Sequence, residues 1–367
     1  MFADERLPER VGLANLAVSF EPLLEAAHFE APPCLAYTNF RILDPVAGEH
    51  HLTQLYVAGH YQLDPINLSK LPRGIDLIVA GDEDFIPSFE GQVLADQMPT
   101  YWPDHEIPAI LGKPRPQIDV EGSAVLIARY GLRTWGHWLG ELLPKMVCVE
   151  TVFPGKHRYV LPAAVFFDPI LRPILESISY HGIDLARIIP VHAETVYRFS
   201  ELYAVSPAWT RHKIHPGAVE FMRARMPAPP DNAPRKVAFL RTESRTRNVA
   251  NAPTIIAELV DQGFAMVEIG AIPFSEQVGT FAAAESVVAV LGSGLTGLPY
   301  SPKGVRVLTL APSRWSDLFF FAFMQNRDAK LADIRGPQDP TDTRRPAEAR
   351  FIVELNEVRR GLQMLAA

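Results

Sequence analysis

Cysteine is almost missing from this chain. Cys34 and Cys148 stand alone, with no CxxC or Cys/His spacing around them. That excludes a disulfide framework and a cysteine-based metal site, and it points to a reducing compartment. An excess of positive charge is missing too: 35 Lys and Arg face 42 Asp and Glu, a formal net charge of -7. No basic surface of the kind a dedicated nucleic-acid binder presents is therefore expected. No stretch approaches the roughly 18 uncharged apolar residues of a membrane-spanning helix. The opening MFADERLPER carries five charges and no apolar core region. It does not read as a secretory signal, and a cytoplasmic location is expected.

What is present is a globular composition with one bias. Hydrophobic residues make up 48% and charged residues 21%, values of a chain that folds. A length of 367 residues suggests about two domains. The 33 prolines are nearly twice the usual ~5% share and punctuate loops rather than forming one tract.

Residues 1–115 form a β-leaning segment, in which short aromatic or β-branched runs at 34–43, 52–58 and 76–80 alternate with turns such as Asp44-Pro45 and Gly81-Asp82. Residues 116–226 read as a first Rossmann-like block. Its expected strands are 123–130, 158–163, 187–192 and 201–206, with helices at 136–150, at 168–180 and near 216–226. Pro227, Pro229, Pro230 and Pro234 make 227–234 the expected linker. Residues 235–345 read as a second Rossmann-like block, with strands at 235–241, 265–269, 286–291 and 305–310 between helices at 253–262, 274–285 and 294–300. Such alternation builds parallel βαβ units, so an α/β fold of two Rossmann-like domains facing a cleft is expected. Residues 346–367 read as an amphipathic C-terminal helix whose stripe is Phe351, Leu355, Val358, Leu362 and Leu365. That stripe is expected to cross back onto the first domain, the alternative being a short homodimer seam.

Three segments can carry chemistry. In 291–304, LGSGLTGLPYSPKG, an apolar strand runs into a helix through Gly292 and Gly294. Backbone amides there can approach an anion closely, and Ser293 and Thr296 add hydroxyls beside Leu295. The spacing is not the dinucleotide fingerprint, which follows the first strand of its unit. In 240–248, Arg241, Arg245 and Arg247 follow a strand. They stand at the end where open parallel sheets bind ligands, and guanidinium suits phosphate oxygens. In 134–146, His137, Glu141 and Lys145 form one helical stripe among apolar neighbours, a general base with an orienting carboxylate. Pro144 is expected to kink this helix at Gly140. Taken singly, each segment also has a bland reading: a tight strand–helix turn, a solvated charge run, a satisfied core histidine. Asp82-Glu83-Asp84 and Arg211-His212-Lys213-Ile214-His215 read as a solvated turn and a basic bend.

Together these segments resemble glycosyltransferase family 61. Gly136-His137-Trp138-Leu139-Gly140-Glu141-Leu142-Leu143-Pro144 is similar to the family's G-H-W-L-x-[DE]-x-L-P element. Leu240-Arg241 followed by Arg247-Asn248-Val249-Ala250-Asn251 resembles its arginine loop. Gly263-Phe264 and Glu276-Gln277 with Phe281 and Ala284 resemble its middle stretch. Leu291-Gly292-Ser293-Gly294-Leu295-Thr296-Gly297, with Pro302, Gly304 and Val307 behind it, resembles H-G-A-G-L-T-N and the element that follows.

The resemblance implies a GT-B-like pair of domains and inverting transfer without an obligatory metal or other cofactor. It implies a nucleotide-sugar donor bound through Arg241, Arg245, Arg247, Asn251, Glu276 and residues 292–296. A glycan or lipid-linked glycan would be the acceptor, in surface or capsular polysaccharide synthesis, with peripheral attachment to a membrane-bound synthesis complex. The chain departs from the family pattern at Leu291, Gly297 and Ala252, where the pattern has His, Asn and Glu. The alternative those departures motivate is a non-catalytic relative that binds a nucleotide sugar or glycan; an unrelated Rossmann oxidoreductase is a third reading.

Overall fold

The computed structural model of the chain describes residues 9–31, 34–39, 59–80, 85–90, 92–94, 107–129, 131–210, 213–241, 246–315, 319–345 and 348–367. Arg245, the Asp82–Asp84 turn, Arg211 and His212 lie outside the described residues. The chain packs into two compact units. One holds the described residues of Met1–Ala26 and Asp64–Ala208, the other those of Ala27–Leu63 and Trp209–Ala367. The N-terminal 115 residues are thus shared between the units instead of standing apart. The proline segment 227–234 lies inside the second unit, where it forms a turn with Ala233 N–H bonded to the Pro230 carbonyl at 3.0 Å.

The first unit is built on one mixed sheet. Along its main path the strands are Glu9–Val11, Gln92–Leu94, Phe85–Phe89, Asp76–Val79, Thr195–Val205, Gln117–Leu126, Arg158–Pro162 and Ile188–Val191. The last four form one run of parallel neighbours, and at the far end Glu9–Val11 pairs in parallel with Gln92–Leu94, so the Rossmann-like reading fits half of this sheet. The strand Thr195–Val205 is the junction. One edge pairs in parallel with Gln117–Leu126, while the other takes Asp76–Val79 and Ile66–Lys70 antiparallel. The first parallel strand begins at Gln117 and ends at Leu126, earlier than the 123–130 run suggests, because the polar stretch before Ser123 is exposed edge rather than loop.

The second unit has the more regular architecture. Six parallel strands lie in the order Ala265–Met266, Lys236–Phe239, Ser286–Val290, Arg306–Pro312, Lys330–Gly336 and Leu35–Thr38. The chain starts at Lys236–Phe239, moves outward once, then returns to continue on the other side. The order reverses between Lys236–Phe239 and Ser286–Val290. Successive residues serve opposite faces. Ala238, Val288, Leu308 and Ala332 pack with Ile255 and Leu259 of the helix Ala252–Asp261. Phe239 points the other way, its ring 5.3 Å from that of Phe281 in the helix Phe274–Ala283.

The C-terminal helix is shorter than its periodicity suggests and packs elsewhere. It runs from Leu355 to Ala366. Phe351 precedes it in an extended segment bridged to Val249 and Gln338. Its apolar face is buried within its own unit: Val358 and Leu365 join the core, and Gly361 lets the helix approach Leu308, Ala332 and Ile334. Neither the first domain nor a dimer seam is needed to cover it. No helix among the described residues is long and apolar enough to cross a membrane.

Phe351 is fully buried in this core. Replacing Phe351 with Ala is expected to lower the unfolding free energy of the second unit by about 3–5 kcal/mol. Urea melts followed by a second-unit probe measure this. A near-zero change would show that the extended segment only caps the core.

Candidate functional site

His137 is set by a helix that changes pitch. Residues Trp135–His137 are α-helical, Trp138–Leu142 form one π turn, and Leu143–Val152 resume the α-helix. Pro144 has no N–H to give Gly140, and its ring would strike that carbonyl in a regular helix. The wider turn relieves the conflict, with Leu143 N–H donating to the Trp138 carbonyl five residues back. Trp138 is fully buried and donates its indole N–H to Ser177 Oγ at 2.8 Å, pinning the turn.

On this turn His137 Nδ1 lies 2.9 Å from Glu141 Oε1, and the second carboxylate oxygen is ion-paired with Arg129. Gly131, with φ at +89°, lies beneath the imidazole; a Cβ there would come 3.0 Å from His137 Cδ2. The Glu141 side chain is 16% exposed and both its oxygens are engaged. The His137 side chain is 41% exposed. The carboxylate is thus committed to its two neighbours, and the imidazole is the more exposed group of the pair. Lys145 does not continue the stripe: the wider turn shifts its phase, and it is buried.

The second constellation sits at the order reversal of the six-stranded sheet. Arg241 follows the strand Lys236–Phe239, and Gly292 follows Ser286–Val290. A Cβ on Gly292 would come within 2.5 Å of Arg241 Nη2 and 3.3 Å of Arg247 Nη2. Both guanidiniums thus reach over one Cα. Arg241 Nη1 also donates to Thr246 Oγ1 at 3.3 Å. Burial lowers the pKa of Arg241, yet arginine stays cationic at neutral pH. Arg247 itself is held in the left-handed region, with φ at +57°. Its guanidinium carbon lies 4.0 Å from the Trp315 ring centroid.

The helix beside them is a 3-10 helix, Ser293–Tyr300. The amides of Ser293 and Gly294 open it, where no intrahelical acceptor precedes them. Leu295 gives its N–H to the Gly292 carbonyl at 2.9 Å and its side chain is buried. Thr296 is buried too, its hydroxyl donating to the Ser293 carbonyl at 2.6 Å. Of the residues 292–296 expected to form a cradle, only Ser293 and Gly294 are partly exposed.

Of two other expected ligand residues, Asn251 is engaged within the fold and Glu276 is exposed. Asn251 spends its amide on Val353, donating to the carbonyl at 2.7 Å and accepting from the N–H at 3.0 Å. Glu276 is exposed in the first turn of the helix Phe274–Ala283, where its charge favours the helix N-terminus. Gly297 has no room for asparagine, since a Cβ there would meet Phe281 Cε2 at 2.0 Å. Leu291 is fully buried.

Sequence reasoning missed Arg129, Gly131 and Trp315. Arg129 and Gly131 directly follow an apolar run, a place where sheet-edge loops begin, and that was the available signal. A cavity of about 440 Å³ in the second unit opens at the other sheet edge, among Lys236, Ser286 and Arg306, each the first residue of its strand. It is not part of the arginine site.

A parallel sheet with cations and an open helix end at its order reversal has the architecture of an anion-binding α/β protein. The model of the family described as Glycosyltransferase 61 matches residues 135–308, and this match supports the chain's membership of glycosyltransferase family 61. The matched span encloses His137, Glu141, Arg241, Arg247 and Gly292, while Arg129, Gly131 and Trp315 lie beyond it. No curated protein matches the chain.

Replacing Glu141 with Gln keeps the shape but leaves the Arg129 guanidinium without its counter-charge. The expected cost is about 1–3 kcal/mol of stability with the fold retained, measured by urea unfolding with circular dichroism. An unchanged stability would mean that the pair contributes nothing.

Proposed function

We propose that the chain is a glycosyltransferase that moves a sugar from a nucleotide-sugar donor to a glycan or lipid-linked glycan in surface or capsular polysaccharide synthesis. Family membership implies glycosyltransferase activity. The observation that carries the finer reading is the convergence of Arg241 and Arg247 on Gly292 at the reversal of strand order. Two planar cations and two open amides match the oxygens of a diphosphate.

In this reading the acceptor hydroxyl attacks the anomeric carbon directly, with inversion and without a metal. His137 takes the hydroxyl proton, and Glu141 steadies the imidazolium that forms. The bond from the anomeric carbon to the diphosphate oxygen breaks. The charge developing on that oxygen falls to Arg241, Arg247 and the amides of Ser293 and Gly294. The reading requires a GT-B-like pairing in which His137 faces the donor loops. A cytoplasmic setting is in keeping with the two cysteines, which are both buried thiols.

A second reading rests on Leu291. The family pattern has histidine where this chain buries an apolar side chain, so a binder without turnover is the alternative.

A calorimetric panel of UDP, GDP, CDP and CMP, with their sugars, tests the donor site. Replacing Arg241 with Ala is expected to weaken the tightest of these by at least about tenfold, and Gly292 to Ala by a similar factor through displacement of the Arg241 guanidinium. Unchanged affinities in both variants would overturn the donor site. Replacing His137 with Ala is expected to lower turnover by ~10²–10⁴-fold while donor affinity holds. Donor binding without turnover in the unaltered chain, over a broad acceptor panel, would favour the binder.

A further inference from the structure

The Arg247 side chain makes a ring contact outside its own loop. An arginine side chain has much rotamer freedom to lose when it is ordered, and Arg247 extends from a backbone position with φ at +57°. What the guanidinium lies against is the Trp315 ring, at 4.0 Å. Trp315 belongs to the turn after the strand Arg306–Pro312, its N–H bonded to the Pro312 carbonyl at 3.2 Å. Its own carbonyl accepts from Arg335 Nη1.

Arg335 is fully buried, as is its partner Asp333. Its Nε donates to Asp333 Oδ2 at 2.8 Å, and Asp333 Oδ1 accepts from Thr309 Oγ1 at 2.7 Å. The backbone of Arg335 is gripped at both ends by the Asn39 side chain, at 2.7 and 2.8 Å. A buried ion pair is a poor source of stability compared with apolar packing. Here it fixes the carbonyl of the residue whose ring carries Arg247.

We propose that Trp315 is a positioning residue for the anion site, holding the Arg247 guanidinium beside that of Arg241 over Gly292, with the Asp333–Arg335 pair fixing Trp315 through its carbonyl. The inference rests on the donor-site reading above. Cation–π contact with the indole face confines the guanidinium to one plane, so the site meets its ligand with the cation already in place. Ordering that side chain then costs less on binding.

The test is a double-variant cycle on the full chain, titrated calorimetrically with the tightest-binding nucleoside diphosphate of the panel and with inorganic pyrophosphate. Trp315→Leu is expected to weaken binding about fivefold to tenfold in the unaltered background. It should add nothing once Arg247 is already Ala, because both changes remove one interaction. Trp315→Phe, which keeps a smaller ring, should recover part of the loss. If Trp315→Leu melts too low to titrate, the Phe variant is compared in the two backgrounds instead. Equal losses in both backgrounds would show that Trp315 touches the ligand itself and would overturn the proposal, as would no loss in either. The Arg241→Ala variant run alongside separates the two levels: if it binds as the unaltered chain does, the donor-site reading fails. If it is weakened while Trp315→Leu is not, only the positioning role fails.

Discussion

Two guanidinium groups share the space above a single Cα carbon, and much of the second unit serves that crowding. Any side chain at Gly292 would strike Arg241 first and Arg247 next. The parallel order reverses there, so the loops after two neighbouring strands diverge and leave room. The 3-10 helix that follows turns its first amides toward the same place.

The first unit solves the opposite problem. There the charges are already matched: Arg129, Glu141 and His137 form a line in which the carboxylate is satisfied on both sides. The π turn makes this possible by letting a proline stand inside a buried helix without breaking it. One unit thus gathers two guanidiniums over a single Cα, and the other holds a histidine oriented by its carboxylate.

The second unit was largely legible because the strands it was read from carry unbroken apolar runs and its helices begin and end near the marks of Pro, Gly and polar residues. Ser286–Val290 is buried at every position, so its run of Val and Ala admitted one interpretation. The strand Lys330–Gly336 was not legible. Asp333 and Arg335 look like surface residues, and their mutual ion pair together with the contacts to Thr309, Asn39, Pro312 and Trp315 makes their burial tolerable. Leu35–Thr38 pairs with that strand across some 300 positions of sequence, a distance periodicity does not span. Asn251 fits a ligand role by type and place. Its engagement with Val353 depends on an extended segment that heptad-like spacing had assigned to a helix. For the π turn, Pro144 signalled a disturbance, and the form it took came from the buried packing of Trp138.

The path of the chain has a consequence for how the molecule can be taken apart or made. Because residues 27–63 join the second unit and 64–208 return to the first, the backbone passes between the units three times. No single cleavage yields two complete halves. A fragment starting at Trp209 would lack the edge strand Leu35–Thr38 and the Asn39 clamp on Arg335. On the ribosome, residues that complete the second unit emerge early and wait for partners translated near the end. The two units are therefore tied into one maturation event by connectivity alone.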